Sequence, residues 1–225
     1  MFENMLALKA KLGDGGPGGK ELIAGDYNAG YFGVATASEF TTGDNLASLI
    51  GLTIGTTMNS TTDWLKFIYK GKVLYVPKKP IRSELSWNDL QQKGAVTGTT
   101  IVTIKGRQYK VRLMKGSGVN PYRGVNDAPD DPFTIGSEYN DLMYRVCTVD
   151  PPSQTLPNFV SFTPEDLGMF VTGGIQLCQE RSEPQNGVPI GVLCRCNGAT
   201  NMSTSHGPGE TYFAKRGWRP VLEVA

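Results

Sequence analysis

Four cysteines, Cys147, Cys178, Cys194 and Cys196, and one histidine, His206, are the side chains of this 225-residue sequence best suited to redox, nucleophilic or metal chemistry. A catalytic thiol needs a base or a positive environment to hold it as thiolate. A zinc site needs closely paired ligands, such as two cysteines separated by two other residues with histidines nearby. Neither pattern occurs, and His206 sits alone in the polar stretch STSHGPG, which reads as a loop. The expectation is a protein that is not an enzyme and holds no metal or other cofactor. Cys194 and Cys196 stand two apart in a strand-like stretch, which puts both on one face. Folding IQLCQERS against PIGVLCRC about the turn Pro184 to Gly187 sets Cys178 almost opposite Cys194, within reach of a disulfide. Buried thiols are the other reading, because a reducing cytosol opposes such bridges.

Two loops offer polar groups. NDAPDD, from Asn126 to Asp131, carries oxygen ligands of the kind calcium takes, but its spacing matches no known calcium loop, and Pro129 and Pro132 restrict how the carboxylates converge. A solvated loop is expected. TNMSTSHGPGETYF, residues 200 to 213, is small, polar and glycine-rich, and reads as an exposed connector between strands. Within it Asn201, Ser203, Thr204, His206, Glu210 and Tyr212 are the candidate contacts for a sugar or a protein.

Composition bounds the partners. With 22 Lys and Arg against 21 Asp and Glu, the net charge of +1 lacks the strong positive field of a nucleic-acid groove. No stretch reaches the roughly 20 apolar residues that cross a bilayer, and the first residues lack a secretion signal. The expectation is a chain without nucleic-acid partners or membrane insertion, made in the cytoplasm. The 28 glycines and 14 prolines favour short strands joined by turns, and 39% apolar residues suffice for an ordinary core.

The elements that must position these residues follow from local pattern. MFENMLALKAKL has a loose helical spacing too short to be stable alone, and GDGGPGG reads as a flexible linker. Residues 1–19 are thus an arm and linker. Asp44 reads as the cap of a short helix stopped by Gly51, and Ser86 as the cap of WNDLQQK, stopped by Gly94. WLKFIYKGKVLYVP and TTIVTIKGRQYKVRL read as hairpins turning at Lys70-Gly71 and Lys105-Gly106, the second alternating through Ile101, Thr103, Tyr109, Val111 and Leu113. Ser137 caps EYNDLMYRV, and Thr163-Pro164-Glu165 opens another short helix. Strands complete the sequence: IQLCQERS, PIGVLCRCNG and ETYFAKRGWRPVLEVA, with VLEV as an internal strand. The fold class expected is α+β, with short antiparallel sheets and hairpins and a few short helices.

The segments AGYFGVATASEF, WLKFIYKGKVLYVPKKPIRSELSWNDL, IKGRQYKVRLMKG, GSEYNDLMYRV, CQERS and GWRPVLEV together resemble a family of bacteriophage virion structural proteins encoded among tail and neck genes. The similarity spans about residues 20 to 225. From about Gly136 onward the sequence is similar to the C-type-lectin-like module of phage tail and receptor-binding proteins. The resemblance implies a hairpin-rich mixed domain over 20–135 and a lectin-like module over 136–225, or one continuous domain. It implies that Trp218 packs in the core, that Arg219 makes a structural ion pair or backbone contact, and that Pro220 fixes the start of the last strand. Its expected partners are other virion proteins and further copies of the chain, at the neck or collar, tail, baseplate or fibre. Adhesion to a host-surface glycan or protein is the alternative.

Overall fold

The computed structural model describes residues 16–121, 133–148, 156–169, 174–181, 191–195, 204–207 and 216–225, with 204–207 as backbone. Its elements in chain order begin with β1 (Ala24–Gly25), β2 (Ala29–Ala35), α1 (Gly43–Leu49), β3 (Thr56–Thr57), β4 (Trp64–Tyr69) and β5 (Lys72–Pro77). Then come β6 (Arg82–Ser83), α2 (Trp87–Gln92), β7 (Thr97–Ile104), β8 (Arg107–Arg112) and α3 (Glu138–Leu142), the last followed by a 3₁₀ turn at Tyr144–Val146. The remainder is β9 (Ile175–Arg181), β10 (Val192–Arg195), β11 (Thr204–Gly207), β12 (Arg216–Trp218) and β13 (Val221–Val224). The chain is therefore mostly β, with two sheets and a few short helices.

Local chemistry explains where elements begin and turn. Lys70 and Gly71 have φ of 48° and 77°, and Lys105 and Gly106 have 48° and 80°. Two successive left-handed residues make the tight turn whose twist matches a hairpin, and glycine takes the second position without a side-chain clash. Ser86 accepts from Asp89 N while Asp89 bonds back to Ser86 N, a capping box, and Ser137 accepts from Asn140 N. The first helix is capped by Thr42, not Asp44: Thr42 Oγ1 accepts from Asn45 N, and the Asp44 carboxylate instead accepts from Thr57. Thr163-Pro164-Glu165 forms a turn rather than a helix. Thr163 and Asp166 exchange bonds there, and Gly168 at φ 64° ends the turn after one wrap.

The first sheet is antiparallel throughout, in the order β1-β2-β4-β5-β13-β8-β7, and both of its faces are covered. Trp64 points to one face with Tyr75, Tyr109 and Leu222, where α1, α2 and the second sheet pack on it. Leu65, Phe67, Leu74 and Val221 point to the other, against Tyr139, Leu142 and Met143 of the α3 region. Along β7 the inward residues are Val102 and Ile104, whereas Ile101 is exposed, because the alternation falls one residue later than the sequence pattern suggests. The second sheet runs β11-β10-β9-β12-β6-β3, with one parallel pair between β9 and β12.

Gly217 to Ala225 is two strands rather than one. β12 lies inside the second sheet between β9 and β6, the chain turns at Arg219-Pro220, and β13 lies inside the first sheet between β5 and β8. Ile81 N donates to the Trp218 carbonyl at that corner. The stretches 20–135 and 136–225 thus contribute strands to both sheets and share one hydrogen-bonded framework.

Candidate functional site

The expected cysteine pair does not meet. Cys194 lies opposite Leu177, with a register shift between Val192 and Cys194. A one-residue offset puts Cys178 on the other face of the sheet, where it packs with Leu193, while Cys194 packs with Leu177 in the large core. Cys147, Cys178 and Cys194 are buried thiols, the second of the two readings of this pair, and the possible Cys178 to Cys194 disulfide is not formed. Cys196 and the acidic run 126–131 lie outside the described residues, as do Asn201, Ser203, Glu210 and Tyr212. Thr204 and His206 fall in β11, so the stretch read as a loop contains a strand, paired with Cys194 opposite Ser205 and Leu193 opposite His206.

The residues expected to be structural lie in the interior. Trp218 is fully buried, Arg219 Nη2 donates to the Leu167 carbonyl, and Pro220 is buried at the corner between β12 and β13. Arg219 therefore makes a backbone contact. Among the described residues, no group of three or more His, Cys, Asp or Glu is placed to hold a metal ion, and no helix is long and apolar enough to cross a membrane.

What the sequence reading missed is a buried ionic network. Arg112 on β8 grips Glu138 on α3 with two guanidinium nitrogens at 2.7 and 2.6 Å, and its Nε donates to Glu223 on β13 at 2.9 Å. Lys72 closes the chain on Glu223 at 2.6 Å. Burial opposes the charge of Arg112, but its bonds to Glu138 and the charges of Glu138 and Glu223 outweigh it and hold the guanidinium above its ordinary pKa. Burial likewise opposes the Glu223 carboxylate, and Lys72 and Arg112 together draw its pKa below the ordinary value. A signal was present: KVRLM and VLEV each place a charge inside an apolar strand, and such charges require partners.

Glu180 is the second missed group. It is 2% exposed, accepts from Gly116 N at 3.0 Å, and burial pushes its carboxyl up from 4.5 to about 7 despite backbone donors. Because the folded protein holds this proton more tightly than the unfolded chain, the contribution is fully present below pH 4.5 and is lost as pH rises through about 7. The expected loss is about 3 kcal/mol over that window. Urea unfolding at pH 5 and pH 7.5 should show it in the native chain, while Glu180→Gln should lack this step. Equal pH dependence in both proteins would contradict the assignment.

The glycine-rich stretch is also not a slack linker where it is described. Tyr75 OH donates to the Pro17 carbonyl at 3.1 Å, and the buried Lys66 ammonium donates to the Gly19 carbonyl at 2.7 Å. A side chain at Gly19 would collide with the Phe32 carbonyl, and one at Gly18 would stand 2.9 Å from Ala35 Cβ. The glycines are what let this backbone lie directly on β2 and β5. Burial, then the nearby charges of Lys20 and Arg107, lower the Lys66 pKa to about 8. Gly16 and Pro17 line an open cleft of about 730 Å3 together with Phe40, Ile104, Arg107 and Tyr109. Gly16, the first described residue, thus lies beside an amphipathic cleft. Comparison with family models, with curated proteins and with solved structures finds no match to this chain.

Proposed function

We propose that this chain is a structural component of a bacteriophage particle, docking through its first residues and its exposed surfaces onto neighbouring particle proteins and further copies of itself, at the neck or collar, tail, baseplate or fibre. The observation that carries the reading is the string of sequence segments that resemble virion proteins. Each of them falls on framework: β2, the β4–β5 hairpin with β6 and α2, the β7–β8 hairpin, α3, β9 and the β12–β13 corner. The finer reading, a C-type-lectin-like module over 136–225, draws support from Gly217 and Trp218 of the G-W-R-P stretch, which lie inside the second sheet in the strand beside β9. The anchored Gly16 to Gly19 stretch supports the docking role, since it delivers the preceding residues from one defined place.

Particles released from cells that encode the chain provide the test. Mass spectrometry of purified particles should find the protein in multiple copies, and immunogold electron microscopy should label one location on each particle. A chain lacking residues 1–12 should fold with an unchanged thermal transition yet be depleted from the particles. A protein that stays with the cell fraction and is absent from particles would overturn the reading.

A further inference from the structure

The first sheet's α3-covered face extends beyond that helix, and what it presents there is charge. Residues two apart on a strand share a face, so Lys110 and Arg112 of β8 lie together. Their cross-strand partners on β13 are Glu223 and Val221 respectively. Thr97 of β7 stands opposite Arg112 on the outer side. The β4–β5 turn brings Lys70 and Lys72 to one end, and Lys115 follows β8 at the other. Together with Ser117 and Ser137 these enclose a cleft of about 460 Å3, within the size range of clefts that take small ligands.

The charges do not cancel. Arg112 and Lys72 are matched by Glu138 and Glu223, two positive against two negative, so that among the described residues no carboxylate makes an ion pair with the ammonium groups of Lys70, Lys110 and Lys115, Lys110 standing across from Glu223 without bonding it. Lys70 lies over the Tyr69 ring at 4.8 Å, a contact that leaves its charge uncompensated. The rim is thus positive, while the floor keeps the Glu138 and Glu223 carboxylates and the Gln179 amide oxygen as acceptors; the Ser117 hydroxyl beside them is bonded to Phe133 and Val119, and the Ser137 hydroxyl accepts from Asn140 N. A densely charged polymer would set its charges against those floor carboxylates. A ligand with scattered anionic groups and many hydroxyls would place its anions at the lysines and donate its hydroxyls to the floor.

We propose that this cleft is a binding site for an acidic glycan, a saccharide chain bearing carboxylate or phosphate groups. None of the described residues that line the site comes from the 200–213 stretch, and its chemistry stands whether or not the chain belongs to a virus particle.

Isothermal titration calorimetry on the full chain tests it with four probes: hexagalacturonate, a glycerol-phosphate oligomer, neutral maltohexaose and inorganic polyphosphate. At least one of the first two should bind, and which one binds identifies the anionic group recognised. Maltohexaose should give no heat, and binding should weaken steeply between 50 and 500 mM salt, as exposed charges are screened over roughly 10 Å at about 0.1 M. The triple variant K70E/K110E/K115E should lose at least tenfold in affinity, and the milder K70Q/K110Q/K115Q should lose binding in the same direction while keeping the native thermal transition. Reversal of Lys20, Lys79 and Lys93, which lie elsewhere, should change affinity less than twofold. The proposal is overturned if neither acidic glycan binds at millimolar concentration, if the control reversal weakens binding equally, or if polyphosphate binds as tightly as the glycans.

Discussion

Deleting Gly217 to Ala225 is expected to abolish the cooperative unfolding transition of the whole domain rather than trim one end of it. The segment carries Trp218, Val221 and Leu222, all fully buried. Burying one large apolar side chain is worth about 1.5 to 3 kcal/mol, so the three together supply roughly 5 to 9 kcal/mol of the 5 to 15 kcal/mol that hold a typical domain. The backbone loss is larger in kind. Without β12 the second sheet loses the strand joining β9 to β6, and without β13 the first sheet splits between β5 and β8. Four strands would then present unpaired edges to solvent, a state prone to aggregation. The smaller change Trp218→Ala should cost about 3 to 5 kcal/mol, leaving a folded but weakened protein. Circular dichroism during heating reads both. A truncated chain that melts cooperatively within a few degrees of the full chain would mean that neither sheet depends on the segment.

How much of this the sequence disclosed depends on how local the cause is. The turns at Lys70-Gly71 and Lys105-Gly106, and the caps at Ser86 and Ser137, are decided within four residues of chain, and the sequence reading places each of them correctly. Thr42 and Asp44 are both good caps by type. What separates them is Thr57, thirteen residues beyond Asp44, which donates to the Asp44 carboxylate. The partner of Cys194 turns on a register shift in β10 that no alternation pattern shows. Gly18 and Gly19 look like slack linker because nothing in a run of glycines reveals that Phe32 and Ala35 will press against them. The candidate site was least legible of all. Lys72, Arg112, Glu138 and Glu223 come from four separate stretches, and only the insertion of β13 between β5 and β8 brings them together.

That network carries the second large effect. Replacing Arg112 by methionine keeps most of the side-chain volume but leaves Glu138, 3% exposed, without its bidentate partner and Glu223, 5% exposed, with Lys72 alone. Removing one member of a buried ion pair typically costs about 3 to 5 kcal/mol, because the remaining charge stays desolvated. Arg112→Met should therefore move the denaturant midpoint down by a large fraction of the total stability, with little change in slope. Arg112→Lys should rescue only part of this, since one ammonium cannot span the two carboxylates that the guanidinium fork holds from β13 and α3. The double variant Arg112→Met with Glu138→Met removes both the charge and its closest counter-charge, and Glu223 keeps its bond to Lys72. It should be more stable than Arg112→Met alone, the sign expected when the cost lies in the stranded carboxylate and not in lost packing. Lys115 N also donates to Glu138 at 3.0 Å and would lose its acceptor in the double variant, so the recovery should be incomplete. A midpoint for Arg112→Met within about 1 kcal/mol of the native chain, or a double variant weaker than the single by the full cost of a second buried truncation, would show that the network is not what joins β8, β13 and α3.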